Sequence, residues 1–190
     1  MVLKLPFSPI TNVVVSHPDP SKINLVLYDL IKSNGNEIVM GGGKRTDWLF
    51  AIDNRGDEEL DSLFLWIEEL LPRVAFLFAV GNSDADFDHQ VLGFNPESFV
   101  IRESWGIHYD KGQGVLFHNH FPFNLSFVYY VRTPEGSSPL TLGGTDAYSE
   151  EIFLNEGQII FFLGHEFHCV EESNIDGRCV IAGNILYDPK

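Results

Sequence analysis

The chain is short of cationic residues, of cysteine and of long apolar runs, and each shortage removes a class of protein. Twelve Lys and Arg stand against 27 Asp and Glu, for a net charge of −15. A duplex-binding protein needs cations to neutralise phosphates, and adsorption to anionic membranes needs the same. The largest basic cluster is the pair Lys44-Arg45, so nucleic acid is not an expected partner and the acidity reads first as a solubility device. Cys169 and Cys179 are the two cysteines. They could face each other on paired strands. Without a disulfide framework or a signal-like N-terminus they read as free thiols in a cytoplasmic protein. The longest apolar stretch, Val74 to Val80, falls well short of the about 18 residues of a membrane span.

What is present describes a globular chain. Its 190 residues suffice for one domain, 1–190, with a sizeable core. A hydrophobic content of 44% is too high for disorder. Sixteen Phe suit a β-rich interior lined with aromatics. No internal repeat or low-complexity linker interrupts the sequence.

Residues 1–97 read as a helical support region with short strands. Asp19-Pro20 is a helix start, with Asp as cap and Pro in the first turn. Ile23, Leu27, Leu30 and Ile31 follow at helical spacing, and Gly35 is expected to end the helix as a left-handed C′ residue. A second helix opens at Asp57-Glu58-Glu59 and places Leu60, Leu63, Phe64, Ile67, Leu70 and Leu71 on one face. Pro72 must end, restart or kink it, and 73–80 reads as a further helix on the same core. From 98 onward, short apolar stretches are bounded by Gly, Pro, Asn or Asp. Strands are expected near 99–107, 114–120, 125–133, 139–142, 152–154, 158–163, 168–171 and 178–187. The predicted class is α+β: a jelly-roll core over 98–190, a double-stranded β-helix, buttressed by the N-terminal helices.

Five of the seven His lie between residues 108 and 168. His118-Asn119-His120 sits on a predicted strand, where side chains two apart share a face, so both imidazoles project together. Imidazole suits iron, zinc, copper or nickel. A bare His-x-His is equally a pair of surface histidines at a strand end. His168 follows Gly157-Gln158-Ile159-Ile160-Phe161-Phe162, a strand apolar on both faces and therefore expected to be central. A histidine there needs a partner, either a core hydrogen bond or a metal. Arg178 is the only Lys or Arg between Thr133 and Asp188, and it opens the apolar strand Cys179-Val180-Ile181-Ala182. Facing inward it would need an anion, which a guanidinium fork binds with two parallel hydrogen bonds. Facing outward it would pair with Glu171 or Asp176.

These residues resemble a known family. Tyr109-x-x-Gly112-x5-His118-x-His120 is similar to the Tyr-x-x-Gly-x5-His-x-Asp strand of 2-oxoglutarate/Fe(II) oxygenases of the prolyl-hydroxylase type. Phe127-Val128-Tyr129-Tyr130-Val131 resembles their apolar-Tyr-Tyr-Leu strand, and Glu156-Gly157-x3-Phe161-Phe162-x5-His168-x-Val170 the strand leading to their distal His. Arg178 falls ten residues after that His, where the family places the Arg for the distal carboxylate of 2-oxoglutarate. A closer resemblance is to an uncharacterised group of oxygenases of bacteria and their viruses. It rests on His118-Asn119-His120, Ser126-Phe127-Val128-Tyr129-Tyr130, Pro134-Glu135 and Arg178-x5-Asn184. Leu5-Pro6-Phe7-Ser8-Pro9 and Gly41-Gly42-Gly43 resemble its N-terminal signals.

The resemblance implies a hydroxylase that holds Fe(II) through His118, His120 and His168. It implies 2-oxoglutarate on Arg178, assisted by the Tyr130 hydroxyl, with O₂ consumed, succinate and CO₂ released, and room for ascorbate as an auxiliary reductant. The substrate is expected to be a peptide or small molecule. Two positions depart from the family: His120 replaces the carboxylate ligand, leaving iron one negative charge short, and Val180 stands where relatives carry Ser. His108-Tyr109-Asp110 is literally His-x-Asp and competes as a metal pair, and Asp110 or Glu135 could reach the metal as a late carboxylate ligand. His165 reads as a residue behind the metal ligands or at the pocket mouth, His17 and His89 as incidental, and Trp105, Phe117, Phe121 and Phe123 as pocket walls or core. Two other functions fit the same pattern. One is a cupin-type three-His enzyme that does not use 2-oxoglutarate, although Asn124 and Leu125 stand where cupins usually carry Glu. The other is a non-enzymatic metal-binding barrel.

Overall fold

The computed structural model describes residues 10–54, 56–81, 95–145 and 148–189; the N-terminal signal at 5–9 and His89 lie outside them. Among the described residues, eleven strands form two antiparallel sheets, with helices over the larger one. The strands, in chain order, are β1 (Asn12–Ser16), β2 (Glu37–Ile38), β3 (Lys44–Arg45), β4 (Phe99–Tyr109), β5 (Val115–His118), β6 (Leu125–Arg132), β7 (Leu140–Thr145), β8 (Tyr148–Ile152), β9 (Gln158–Leu163), β10 (His168–Val170) and β11 (Arg178–Tyr187). The seven-stranded sheet runs β1-β9-β6-β11-β4-β3-β2, and the four-stranded sheet runs β5-β10-β7-β8. β9 is central, between β1 and β6, as its two apolar faces required.

The period of two divides the large sheet's side chains between two cores. Phe127, Tyr129, Ile159, Phe161 and Ile181 face the helices. Their neighbours Val128, Tyr130, Ile160, Phe162 and Val180 face the four-stranded sheet and meet its Leu140, Leu142 and Val170. Both faces are therefore covered, which is why these strands read as unbroken apolar runs rather than as an in-out alternation.

Pro20–Lys22 forms a 3-10 turn, and α1 (Asn24–Asn34) follows it. Leu27 and Ile31 of α1 are fully buried on the sheet. Gly106 of β4 makes that approach possible, because a Cβ there would sit 2.5 Å from Ile31 Cγ1. Gly35 departs from expectation: it is extended (φ −73°, ψ 90°), not left-handed. The chain turns directly into β2, and a Cβ at Gly35 would press to 3.2 Å on the Ile31 carbonyl oxygen. A short α2 (Phe50–Asp53) precedes α3 (Glu58–Gly81). Asp57 caps α3, its Oδ1 accepting from Leu60 N at 3.0 Å. Pro72 neither ends nor restarts α3; one helix of 24 residues runs through it, where two segments were expected. Packing of Leu60, Leu63, Ile67, Leu71 and Val74 into one core outweighs the single backbone bond that proline forfeits.

One strand assignment moves and one strand is added. β8 lies at 148–152, not 152–154, because its pairing with β7 (Leu142↔Glu150, Thr141↔Glu151) selects polar residues. Such an edge strand carries charge rather than apolar side chains. The edge strand β1 adds to the expected set. Among the described residues, no helix is long and apolar enough to cross a membrane.

Candidate metal centre

The site is assembled where β5 and β10 pair. Their register sets His118 directly opposite His168, with ring centroids 4.3 Å apart. His120 reaches the same point by a different route from the one expected. β5 ends at His118, so His120 lies in the following turn and strand alternation does not aim it. Two backbone bonds hold that turn, His120 N to Gly164 O at 2.8 Å and Phe123 N to His120 O at 2.9 Å. Gly164 is a necessity here, because a Cβ would lie 2.2 Å from the Phe123 carbonyl oxygen. The His120 ring comes to 5.0 Å from both His118 and His168. One ligand nitrogen from each of the three residues lies within 4.8 Å of the others.

The imidazoles are prepared to give lone pairs. His118 Nδ1 donates to Leu116 O at 2.8 Å and His168 Nδ1 to Glu166 O at 3.1 Å. Carbonyls only accept, so the proton sits on Nδ1 and Nε2 is left free to ligate. Burial pushes His168 down to about 3, with His118 and His120 adding repulsion against the bond to Glu166. Burial, then His118, pushes His120 down to about 4. Both rings are neutral at physiological pH, as ligation requires.

Arg178 opens β11 and is 1% exposed. Tyr109 and Tyr130 flank it, their ring centroids 4.8 and 5.3 Å from Cζ. Nη2 donates to the Tyr130 hydroxyl at 3.4 Å, while Nε and Nη1 have no partner. Glu171 and Asp176, both exposed, do not reach it. Burial pushes Tyr109 up to about 12 against the pull of Arg178, so its hydroxyl stays a donor.

One cavity of about 340 Å³ joins these groups; its wall includes His118, His120, His168, Arg178 and Tyr109, together with Arg45, Trp48 and Trp105. Tyr130 is absent from that wall and touches Arg178 from outside it, whereas Tyr109 is on it. The Tyr109 match was visible in the sequence, but its place beside the guanidinium was not. Val180 lines the same cavity at the position matched to Ser.

The competing ligands are elsewhere. His108 is one residue out of phase with Ile107 and Tyr109, so it faces α1, where Nε2 meets Tyr28 Oη at 3.2 Å. Asp110 pairs with Lys44 at 3.3 Å and Glu135 lies in a separate pocket. Among the described residues the three histidines are the one grouping that could hold a metal. His165 is exposed and does not line the cavity. His17 packs on Trp66 at 4.6 Å. Of the four aromatics expected as walls, only Trp105 lines the cavity; Phe117 stacks on Phe167 and Phe121 is 77% exposed. Cys169 and Cys179 are free, the latter buried in the helix-side core.

No family model matches the sequence, and a search of curated proteins gives no significant match. Solved structures do match. A prolyl-4-hydroxylase of Pseudomonas putida is 16% identical, with a TM-score of 0.61 over 93% of this chain and 92% of that one. A prolyl hydroxylase of Trichoplax adhaerens, in complex with a hypoxia-inducible-factor peptide, is 14% identical with a TM-score of 0.65, over 94% of this chain and 84% of that one. A viral collagen prolyl hydroxylase from Paramecium bursaria Chlorella virus-1, in complex with 2-oxoglutarate, is 14% identical with a TM-score of 0.62, over 92% and 95%. At these identities the likeness is one of architecture, and the chain has the fold of the 2-oxoglutarate/Fe(II) oxygenase superfamily.

Proposed function

We propose that this protein is a non-haem Fe(II), 2-oxoglutarate-dependent oxygenase that hydroxylates a peptide or small-molecule substrate and releases succinate and CO₂. Its two facing sheets are the jelly-roll core of that superfamily. One observation carries the proposal. Three imidazoles and a fully buried guanidinium with two unpartnered nitrogens share one cavity. A 2-oxo dicarboxylate answers both demands, since one end chelates a divalent metal and the other is a carboxylate.

The donor set fits the metal. His118, His120 and His168 would hold Fe(II) on one side and leave the cavity side open to co-substrate. When bound, the iron supplies oxygen activation coupled to decarboxylation of 2-oxoglutarate. The chain's own residues bind and orient. Arg178 would take the distal carboxylate through Nε and Nη1, and Tyr130 fixes the guanidinium from behind. Tyr109, held protonated, adds a donor on the cavity side. Val180 and Ala182 give that wall an apolar lining that keeps water from the carboxylate pair. The peptide bound to the Trichoplax relative supports a peptide substrate.

The three-His set also suits a cupin-type enzyme that makes no use of 2-oxoglutarate, but such an enzyme leaves Arg178 without a role. Anaerobic addition of Fe(II) and then 2-oxoglutarate separates the two. A visible charge-transfer band is expected in the wild type and not in Arg178→Ala. A band of equal strength in the variant rejects the assignment.

A further inference from the structure

Arg45 is a second buried guanidinium on the same cavity, and the mechanism above does not use it. It lies on β3 opposite Ile107 of β4, which turns it to the face shared by Trp105 and Tyr109. It is 7% exposed. Nη2 pairs with Glu37 of β2, while Nη1 is buried and has no partner. The guanidinium lies over Trp48, with Cζ 3.6 Å from the ring centroid. Trp48 packs edge-on to Trp105 at 4.4 Å, and Trp105 lies 5.6 Å from the His120 ring. An aromatic wall thus runs unbroken from the orphan donor to a candidate metal ligand. Ile38 and Met40, 78% and 71% exposed, also line the cavity.

We propose that Arg45 anchors the primary substrate: Nη1 takes an oxygen acceptor on a ligand whose apolar body lies along Trp48 and Trp105 toward His120. This deepens the proposed function and rests on it only in taking the cavity as the place of reaction. A buried N–H without an acceptor is costly, and a ligand oxygen removes that cost. Glu37 already balances the charge, so the unmet demand is for an acceptor, which a carboxylate or an amide carbonyl equally supplies. Arg178 does not compete for this role. It flanks β4 from the β11 side, opposite Tyr109, whereas Arg45 flanks it from the β3 side.

Tryptophan fluorescence reads the site, since Trp48 and Trp105 form its wall. Wild type and Arg45→Met are titrated with 4-phenylbutanoate, 4-phenylbutanamide and toluene, after saturation with Fe(II) and 2-oxoglutarate without oxygen and again without either. The acid, the amide or both are expected to bind about tenfold more weakly to the variant, with toluene unchanged. Loss confined to the acid identifies a carboxylate, and equal loss identifies a neutral carbonyl. Unchanged affinity for both oxygen-bearing probes, or a parallel loss for toluene, overturns the proposal. Arg45→Lys keeps the charge but not the second arm of the fork; it should show the same loss and serves if Arg45→Met is unstable. The iron–2-oxoglutarate band is expected to be unaffected in Arg45→Met, and its loss there would make Arg45 the co-substrate anchor and refute the assignment. A wild type that forms no band rejects the oxygenase reading and leaves the probe titrations interpretable.

Discussion

Arg178→Met should move stability and co-substrate affinity in opposite directions. The side chain is 1% exposed, and its Nε and Nη1 are buried without partners. Each unsatisfied buried donor costs about 1–3 kcal/mol, and a well-packed apolar replacement for a buried charge is often neutral or stabilising. Its bond to Tyr130 at 3.4 Å and its interaction with the Tyr109 hydroxyl are weak compensation for a buried charge. The metal-free variant is therefore expected to be as stable as the wild type or to gain about 1–2 kcal/mol, a rise of several degrees in Tm for a chain of this size. The co-substrate loses two charge-assisted hydrogen bonds of about 1.5–3 kcal/mol each, so its affinity should fall by roughly 10²–10⁴-fold. Thermal melts of the metal-free proteins give the first quantity, and anaerobic calorimetric titration of the Fe(II)-loaded proteins gives the second. A variant that melts many degrees lower would make Arg178 a structural residue. One that binds 2-oxoglutarate within threefold of wild type would remove its co-substrate role.

Three further outcomes test the centre itself. His118→Ala and His168→Ala should each abolish iron loading while His165→Ala, outside the cavity, should not; metal analysis decides, and normal iron in His168→Ala would refute the ligand set. Gly164→Ala would bring a Cβ to 2.2 Å from Phe123 O and displace the turn that aims His120. Metal affinity is expected to fall at least tenfold with far-UV circular dichroism unchanged, and undiminished affinity would show that the turn does not set the ligand. The folded-state values of His120 and His168, about 4 and about 3, lie below the 6.5 of the unfolded chain. The unfolded state thus binds more protons below pH 6.5, so metal-free stability is complete above that value and falls as pH drops toward 4. The loss is up to about 1.4 kcal/mol per pH unit for each proton. Urea melts at pH 7.5 and 5.5 should show a drop that shrinks in His168→Asn, and an equal drop in both proteins would contradict the cause.

What the sequence determined by itself is everything that local periodicity and residue type can specify. Short apolar runs and their bounding turn residues located β4, β6, β9 and β11, because those runs have the length and punctuation of buried strands. The centrality of β9 followed from its two apolar faces, whereas the residues around Arg178 left an outward pairing with Glu171 or Asp176 open, and only its burial in the fold decides for the inward aim. Long-range packing decided the rest. Pro72 looked like a break but lies inside a helix, since the buried face of α3 outweighs a local penalty. β8 is placed by its partner strand rather than by its own composition. His120 reaches His118 and His168 through a turn braced on Gly164, a contact 44 residues away in sequence that no i, i+2 rule contains. Arg45 and Trp48 were invisible as site residues because nothing near them in sequence carries chemistry. The antiparallel register of β3 on β4 turns Arg45, and the bond from Ser104 N to Trp48 O sets Trp48, toward the same cavity as the histidines. Residue types state which groups need partners, and tertiary structure alone decides which of those needs meet in one place.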